Sequence, residues 1–157
     1  MSHTLVIGYG NPLRGDDGLG WRVVDRLAET TADQSTKLLA VHQLAPELAE
    51  PMSEAELIIF VDASYEGDPG SWRCEAIAPD AITSNALAHH FTPVGLLGYA
   101  DAIFKARPRC LLISVAAQSF DCGDKLTPKV EAAVPEIVQY ICMQISWFSE
   151  ISRGSYA

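Results

Sequence analysis

The chain has 157 residues, 48% hydrophobic and 20% charged, which is the composition of a globular protein with a sizeable core and excludes a disordered one. Eleven basic residues against twenty acidic ones leave a net charge of −9, so the basic footprint that nucleic acid or anionic membrane requires is missing. The longest apolar run, around Leu57 to Val61, is far too short to cross a bilayer, and no signal-peptide pattern is present; a cytoplasmic protein without membrane insertion is expected.

In chain order, Thr4 to Ile7 reads as a short buried strand stopped by Gly8. A helix is predicted from about Asp17, with Leu19, Val23, Val24 and Leu27 on one face and Arg22, Asp25, Arg26 and Glu29 on the other. Lys37 to Gln43 is a second strand, and Ala45 to Met52 a short helix with Pro46 at an early, favourable position. Leu57 to Val61, closed by Asp62, is a continuous apolar run, as expected of a central strand covered on both faces. Ser64 to Ser71 has turn chemistry, and Trp72 to Ala78 reads as an edge strand of mixed polarity, open to antiparallel pairing. Pro79 to Thr92 is a connection carrying His89 and His90. Pro93 to Lys105 is helical, Cys110 to Ala116 is another apolar strand, and Thr127 with Pro128 opens the last helix, whose pattern weakens from Trp147. Strands alternating with helices give one α/β domain over residues 1–157. The cysteines Cys74, Cys110, Cys122 and Cys142 form no C-x-x-C pair and read as free thiols.

The stretch Gly8 to Gly20 carries the most chemistry. A strand runs into a glycine-rich turn, and Asp16 and Asp17 stand where the helix begins. Phosphate-binding loops leave that position free for an anion, whereas here it already carries negative charge, which suits a cation or carboxylate chemistry. The dinucleotide fingerprint fails as well: Leu13 occupies its third glycine position, and no acidic residue closes the second strand. No G-x-S-x-G nucleophile turn is present. Ligand sites in such sheets lie beyond the carboxyl ends of the strands, where both Asp17 and Asp62 fall. Taken singly, Asp17 is also a plain helix cap and Asp62 a turn residue. An imidazole from His89 or His90 beside two carboxylates would make a site for a divalent transition metal. His3 and His42 have weaker claims, and Asn11 fits either a turn role or a bond that steadies the loop. Gly8, Gly10 and Gly15 suit a loop that admits a bulky partner or adopts turns closed to other residues.

These features together resemble the hydrogenase maturation endopeptidases, the processing proteases of the large subunit of nickel–iron hydrogenases. Gly8 to Gly20 meets that family's pattern G-x-G-N-x-L-x-x-D-(D/E)-x-x-G in full. Leu57 to Asp62 is similar to its second signature, His89 to Pro93 followed by Leu96 and Leu97 to its histidine segment, and Leu126 to Pro128 to the opening of its last helix. The resemblance implies a three-layer sandwich, with a twisted, mostly parallel five-stranded sheet and helices on both faces. It implies an endopeptidase that cuts the C-terminal extension from a precursor already loaded with nickel, the ion arriving with the substrate. Its metal-contacting and catalytic positions map onto Asp17, Asp62 and His89. Asp17 and not Asp16 matches the variable Asp/Glu position, and spacing to Pro93 and Leu97 favours His89 over the adjacent His90. A non-catalytic nickel chaperone using the same residues, a nucleotide-binding α/β domain, and a peptidase with a different target are the alternatives.

Overall fold

The most apolar stretch of the chain becomes the middle of a sheet. The computed structural model describes residues 3–30, 34–79 and 91–154. Its elements are β1 (Thr4–Tyr9), α1 (Leu19–Thr30), β2 (Thr36–Val41), α2 (Ala49–Ser53), β3 (Leu57–Ser64), β4 (Trp72–Ile77), α3 (Pro93–Phe104), β5 (Arg109–Ala116) and α4 (Pro128–Gly154). The strand order is β2-β1-β3-β5-β4. β2, β1, β3 and β5 run parallel, and β4 pairs antiparallel with β5 at one edge. The mostly parallel five-stranded sheet and the antiparallel edge strand are thus as expected.

Alternation along the central strands divides the core. Leu57, Ile59 and Val61 of β3 pack with Leu19, Val23 and Leu27 of α1 and with Val130, Val134 and Ile137 of α4. Ile58 and Phe60 pack on the opposite face with Leu48 and Met52 near α2 and Leu96, Leu97 and Ala100 of α3. Each large apolar side chain removed from water in this way stabilises the fold by about 1.5–3 kcal/mol. An exposed ion pair such as Arg22–Glu131, at 3.5 Å, adds about 1 kcal/mol at most, so the sandwich is held by its two apolar layers.

Four element boundaries differ from expectation, and the first is that β1 runs through Gly8 to Tyr9. The helix predicted from Asp17 starts at Leu19, because Gly15–Gly18 forms a separate 3-10 turn that contains both acids. The helix expected over Ala45 to Met52 is split into a 3-10 turn, Pro46–Leu48, and α2. The last helix does not weaken at Trp147 but continues to Gly154, with Ile145 and Phe148 against the core and the Arg109 guanidinium 5.4 Å from the Trp147 ring. All four cysteines are free thiols; Cys110 is buried, Cys74 and Cys142 are half-buried, and Cys122 is exposed. Among the described residues no helix is long and apolar enough to cross a membrane.

Two glycines set how closely α1 approaches β1. A Cβ on Gly8 would lie 2.2 Å from the Gly20 carbonyl oxygen, and one on Gly20 would lie 2.6 Å from the Tyr9 nitrogen. The clashing atoms are backbone, so they cannot swing aside. The space at Gly8 is therefore filled by the chain itself rather than by an outside partner. Gly8→Ala is expected to lower the unfolding free energy by about 3 kcal/mol, the upper end for overpacking, as read by urea denaturation. A variant as stable as the parent would show that the strand–helix contact is not tight.

Candidate active site

Chain connections leave β1 toward β2 on one side and return to β3 on the other, so the switch in strand order falls between β1 and β3. Beyond the carboxyl ends of these strands lies the crevice in which open α/β sheets bind ligands. The turn after β1 brings Asp16 and Asp17 there, and β3 brings Asp62.

The adjacent acids have different roles. Asp16 is fully buried. Its Oδ1 accepts from the Thr127 amide at 2.7 Å, and its Oδ2 accepts from the amides of Gln118 at 2.8 Å and Ser119 at 3.1 Å. The Thr127 hydroxyl also donates to it, at 2.8 Å from Oδ2. Burial alone would raise the proton affinity of this carboxyl, but the donors from Thr127, Gln118 and Ser119 outweigh burial and hold it below the ordinary carboxylate value. Backbone bonds reinforce the same seam: the Asp16 amide donates to the Ser119 carbonyl at 3.0 Å, and the Gly15 amide to that of Gly123 at 2.9 Å. Asp16 thus ties the first loop to the segment between β5 and α4. Thr127, expected as a helix cap, directs its hydroxyl to Asp16 as well as preceding Pro128.

Asp17 is only half-buried. Its Oδ2 accepts from the Asn11 amide at 2.7 Å, so the carboxylate turns back toward the glycine loop instead of capping α1. Asn11 steadies that loop, its Oδ1 accepting from the Leu13 amide at 2.9 Å. Gly10, at φ 141°, leaves room for Asp17: a Cβ there would lie 2.1 Å from the Asp17 carbonyl oxygen. The Gly10 carbonyl also accepts from the Trp21 indole at 2.9 Å.

Asp62 sits within β3, opposite Ser114 of β5, and is not a turn residue. Burial pushes its pKa up to about 6; hydrogen bonds from the Tyr9 hydroxyl and the Ala63 amide oppose the rise, and the charge of Asp17 adds to it. The two carboxylates, one from the turn after β1 and one from β3, are therefore close enough to feel one another. Burial, then the charges of Asp62 and Asp17, push the Tyr9 phenol far up, so it is a neutral donor at any working pH. Tyr9 is the member of this group that the sequence reading missed.

The histidines divide differently. His89 and His90 lie outside the described residues. His42 is exposed, its ring edge-on to Trp21 at 5.3 Å, and His3 is exposed at the amino end of β1. Among the described residues no three His, Cys, Asp or Glu side chains group as a metal site. A cleft of about 570 Å³ lined by His3, Lys37 and Glu54 lies at the amino ends of the strands, away from both aspartates.

Asp16 and Asp62 should respond to pH in opposite senses. Asp16 holds its proton less tightly when folded, so its stabilisation is present above about pH 4 and is lost as pH falls through its lowered folded value. Asp16→Asn, which sets an NH2 against backbone donors, should cost about 2–3 kcal/mol at neutral pH and much less in acid, measured by denaturation across pH. Asp62 binds its proton more tightly when folded, moving from 3.8 to about 6, so its ionisation costs stability as pH rises through that window. Asp62→Asn should therefore stabilise the chain by about 1–2 kcal/mol above that window, allowing for partial exposure, and by nothing below about pH 4.

No known protein-family model matches the chain. A curated relative, the hydrogenase expression/formation protein HupD of Rhodobacter capsulatus, is 28% identical over 165 residues, covering 97% of this chain and 76% of that protein. The crystal structure of a hydrogenase 2 maturation peptidase from the Thaumarchaeota archaeon SCGC_AB-539-E09 matches with a TM-score of 0.70 and 25% identity over 92% of this chain and 99% of its own. The hydrogenase maturating endopeptidase HybD of E. coli shares the fold, with a TM-score of 0.71 and 24% identity over 92% of each chain. With Gly8 to Gly20 arranged as described, the chain is similar over nearly its whole length to hydrogenase maturation endopeptidases, in sequence and in fold.

Proposed function

We propose that this chain is an endopeptidase that removes the C-terminal extension of a nickel-loaded hydrogenase large-subunit precursor. The observation that carries the reading is the meeting of Asp17, from the turn after β1, and Asp62, from β3, at the switch-point edge of the sheet. Nickel belongs to the substrate: the precursor brings the ion, and Asp17, Asp62 and His89 complete its coordination. Two carboxylates and an imidazole suit a divalent ion of this class. A precursor without nickel offers these anions nothing to hold, so recognition doubles as a test of metal insertion. Bound there, the ion would polarise the scissile carbonyl or lower the pKa of a water.

The chain's own residues contribute rigidity and charge. Asp17 is held by the Asn11 amide and by the clamped turn around Asp16. Asp62 is held by its place in the β3–β5 ladder. With a pKa of about 6 before any ion arrives, Asp62 is ionised at neutral pH and presents its charge to a cation.

Incubating purified precursor, with and without nickel, with the enzyme tests the reading. The loaded precursor should be shortened and the empty one left intact. Asp17→Asn, Asp62→Asn and His89→Ala should each lower kcat/KM at least about a hundredfold, while His90→Ala should retain activity. Full cleavage by both aspartate variants would reject this centre. Nickel binding with no shortening of the precursor would instead favour a chaperone.

A further inference from the structure

Tyr9 is the last residue of β1 and lies one step past the Gly8–Val61 register pair, as Asp62 does in β3. Both therefore stand on the sheet face that carries Ile7 and Phe60. The Tyr9 ring packs edge-on against Phe60, with centroids 6.4 Å apart and planes at 88°. That contact and the half-buried position leave the phenol little freedom to turn. Its hydroxyl donates to the Asp62 carboxylate, with the charge of Asp17 nearby.

We infer that Tyr9 is a positioning residue: its hydroxyl fixes the Asp62 carboxylate in one rotamer, committing one oxygen to the phenol and leaving the other to face the substrate. The inference rests on the role given to Asp62 above and deepens it. Asp62 is under two opposing demands. It is half-buried, and Asp17 repels it, so an unheld carboxylate would swing toward water and away from Asp17. A cationic side chain could hold it, but would neutralise the charge that a metal-bearing substrate needs. A phenol holds it with a neutral donor and keeps the full negative charge on the pair. A tyrosine serving only to fill space would need no hydroxyl, because the contact with Phe60 is made by the ring.

Tyr9→Phe separates ring from hydroxyl. The ring contact with Phe60 should survive, and Tm should stay within about 4 °C of the parent. In the parent, side-chain scalar couplings of Asp62 measured by NMR should report a single staggered rotamer; in the variant they should average over several. With nickel-loaded precursor, KM should rise about tenfold while kcat stays within about threefold, because ground-state presentation is lost and chemistry is not. A variant whose Asp62 couplings remain those of a single rotamer, or whose KM is unchanged, overturns the inference. Asp62→Asn, assayed in parallel, keeps the two claims apart. If it is inactive while Tyr9→Phe behaves as the parent, only the role of Tyr9 fails; if it cleaves normally, the reading of Asp62 itself fails.

Discussion

A carboxylate with no access to solvent must find donors for both oxygens, and Asp16 finds them 102 to 111 positions away along the chain. Three backbone amides and one hydroxyl converge on it. Hydrogen bonds to an ionised group are individually stronger than neutral ones, and a half-satisfied set would be worse than none. Completeness is therefore what makes this buried charge tolerable. Together with the backbone bonds from Gly15 and Asp16 to Gly123 and Ser119, it makes the two loops behave as one piece. Asp17 is the next residue along, so its position is inherited from that seam.

The second aspartate is held by a different principle. Asp62 belongs to a strand whose ladder with β5 continues beyond it to Ser64. Its backbone is fixed by the sheet and its side chain by Tyr9, with no loop of its own to rearrange. One donor thus comes from a clamped turn and the other from a regular strand. The cost of burying Asp62, increased by the nearby charge of Asp17, appears as its raised proton affinity, the kind of strain that accompanies functional sites.

Much of this was legible in the sequence, and the failures have physical causes. The unbroken apolar run Leu57 to Val61 announced a central strand, and the mixed polarity of Trp72 to Ala78 announced an edge. Spacing alone could not distinguish Asp16 from Asp17, because the groups that separate them, Gln118, Ser119 and Thr127, are remote in sequence; the family pattern chose Asp17. Thr127 was legible as a helix start, but not as a partner of Asp16. Tyr9 was missed because Gly8 was read as the end of the strand. The ladder runs through that glycine, since the missing side chain is required by the contact with Gly20 and not by a turn. Had the strand been continued, Leu5, Ile7 and Tyr9 would have shared a face, and a polar tip at its end would have stood out.

The seam at Asp16 also fixes an order of events during synthesis. A nascent chain emerging from the ribosome can form β1, α1 and β2 early, since their contacts are local, and can add β3 soon afterwards. The turn bearing the two acids must wait until Thr127 has been made, by which time four-fifths of the polypeptide exists. Until then Asp16 remains hydrated, and the Asp17 carboxylate has only its local bond from the Asn11 amide. The cutting centre is therefore among the last parts of the molecule to mature, and a truncated translation product would carry the sheet without a competent edge.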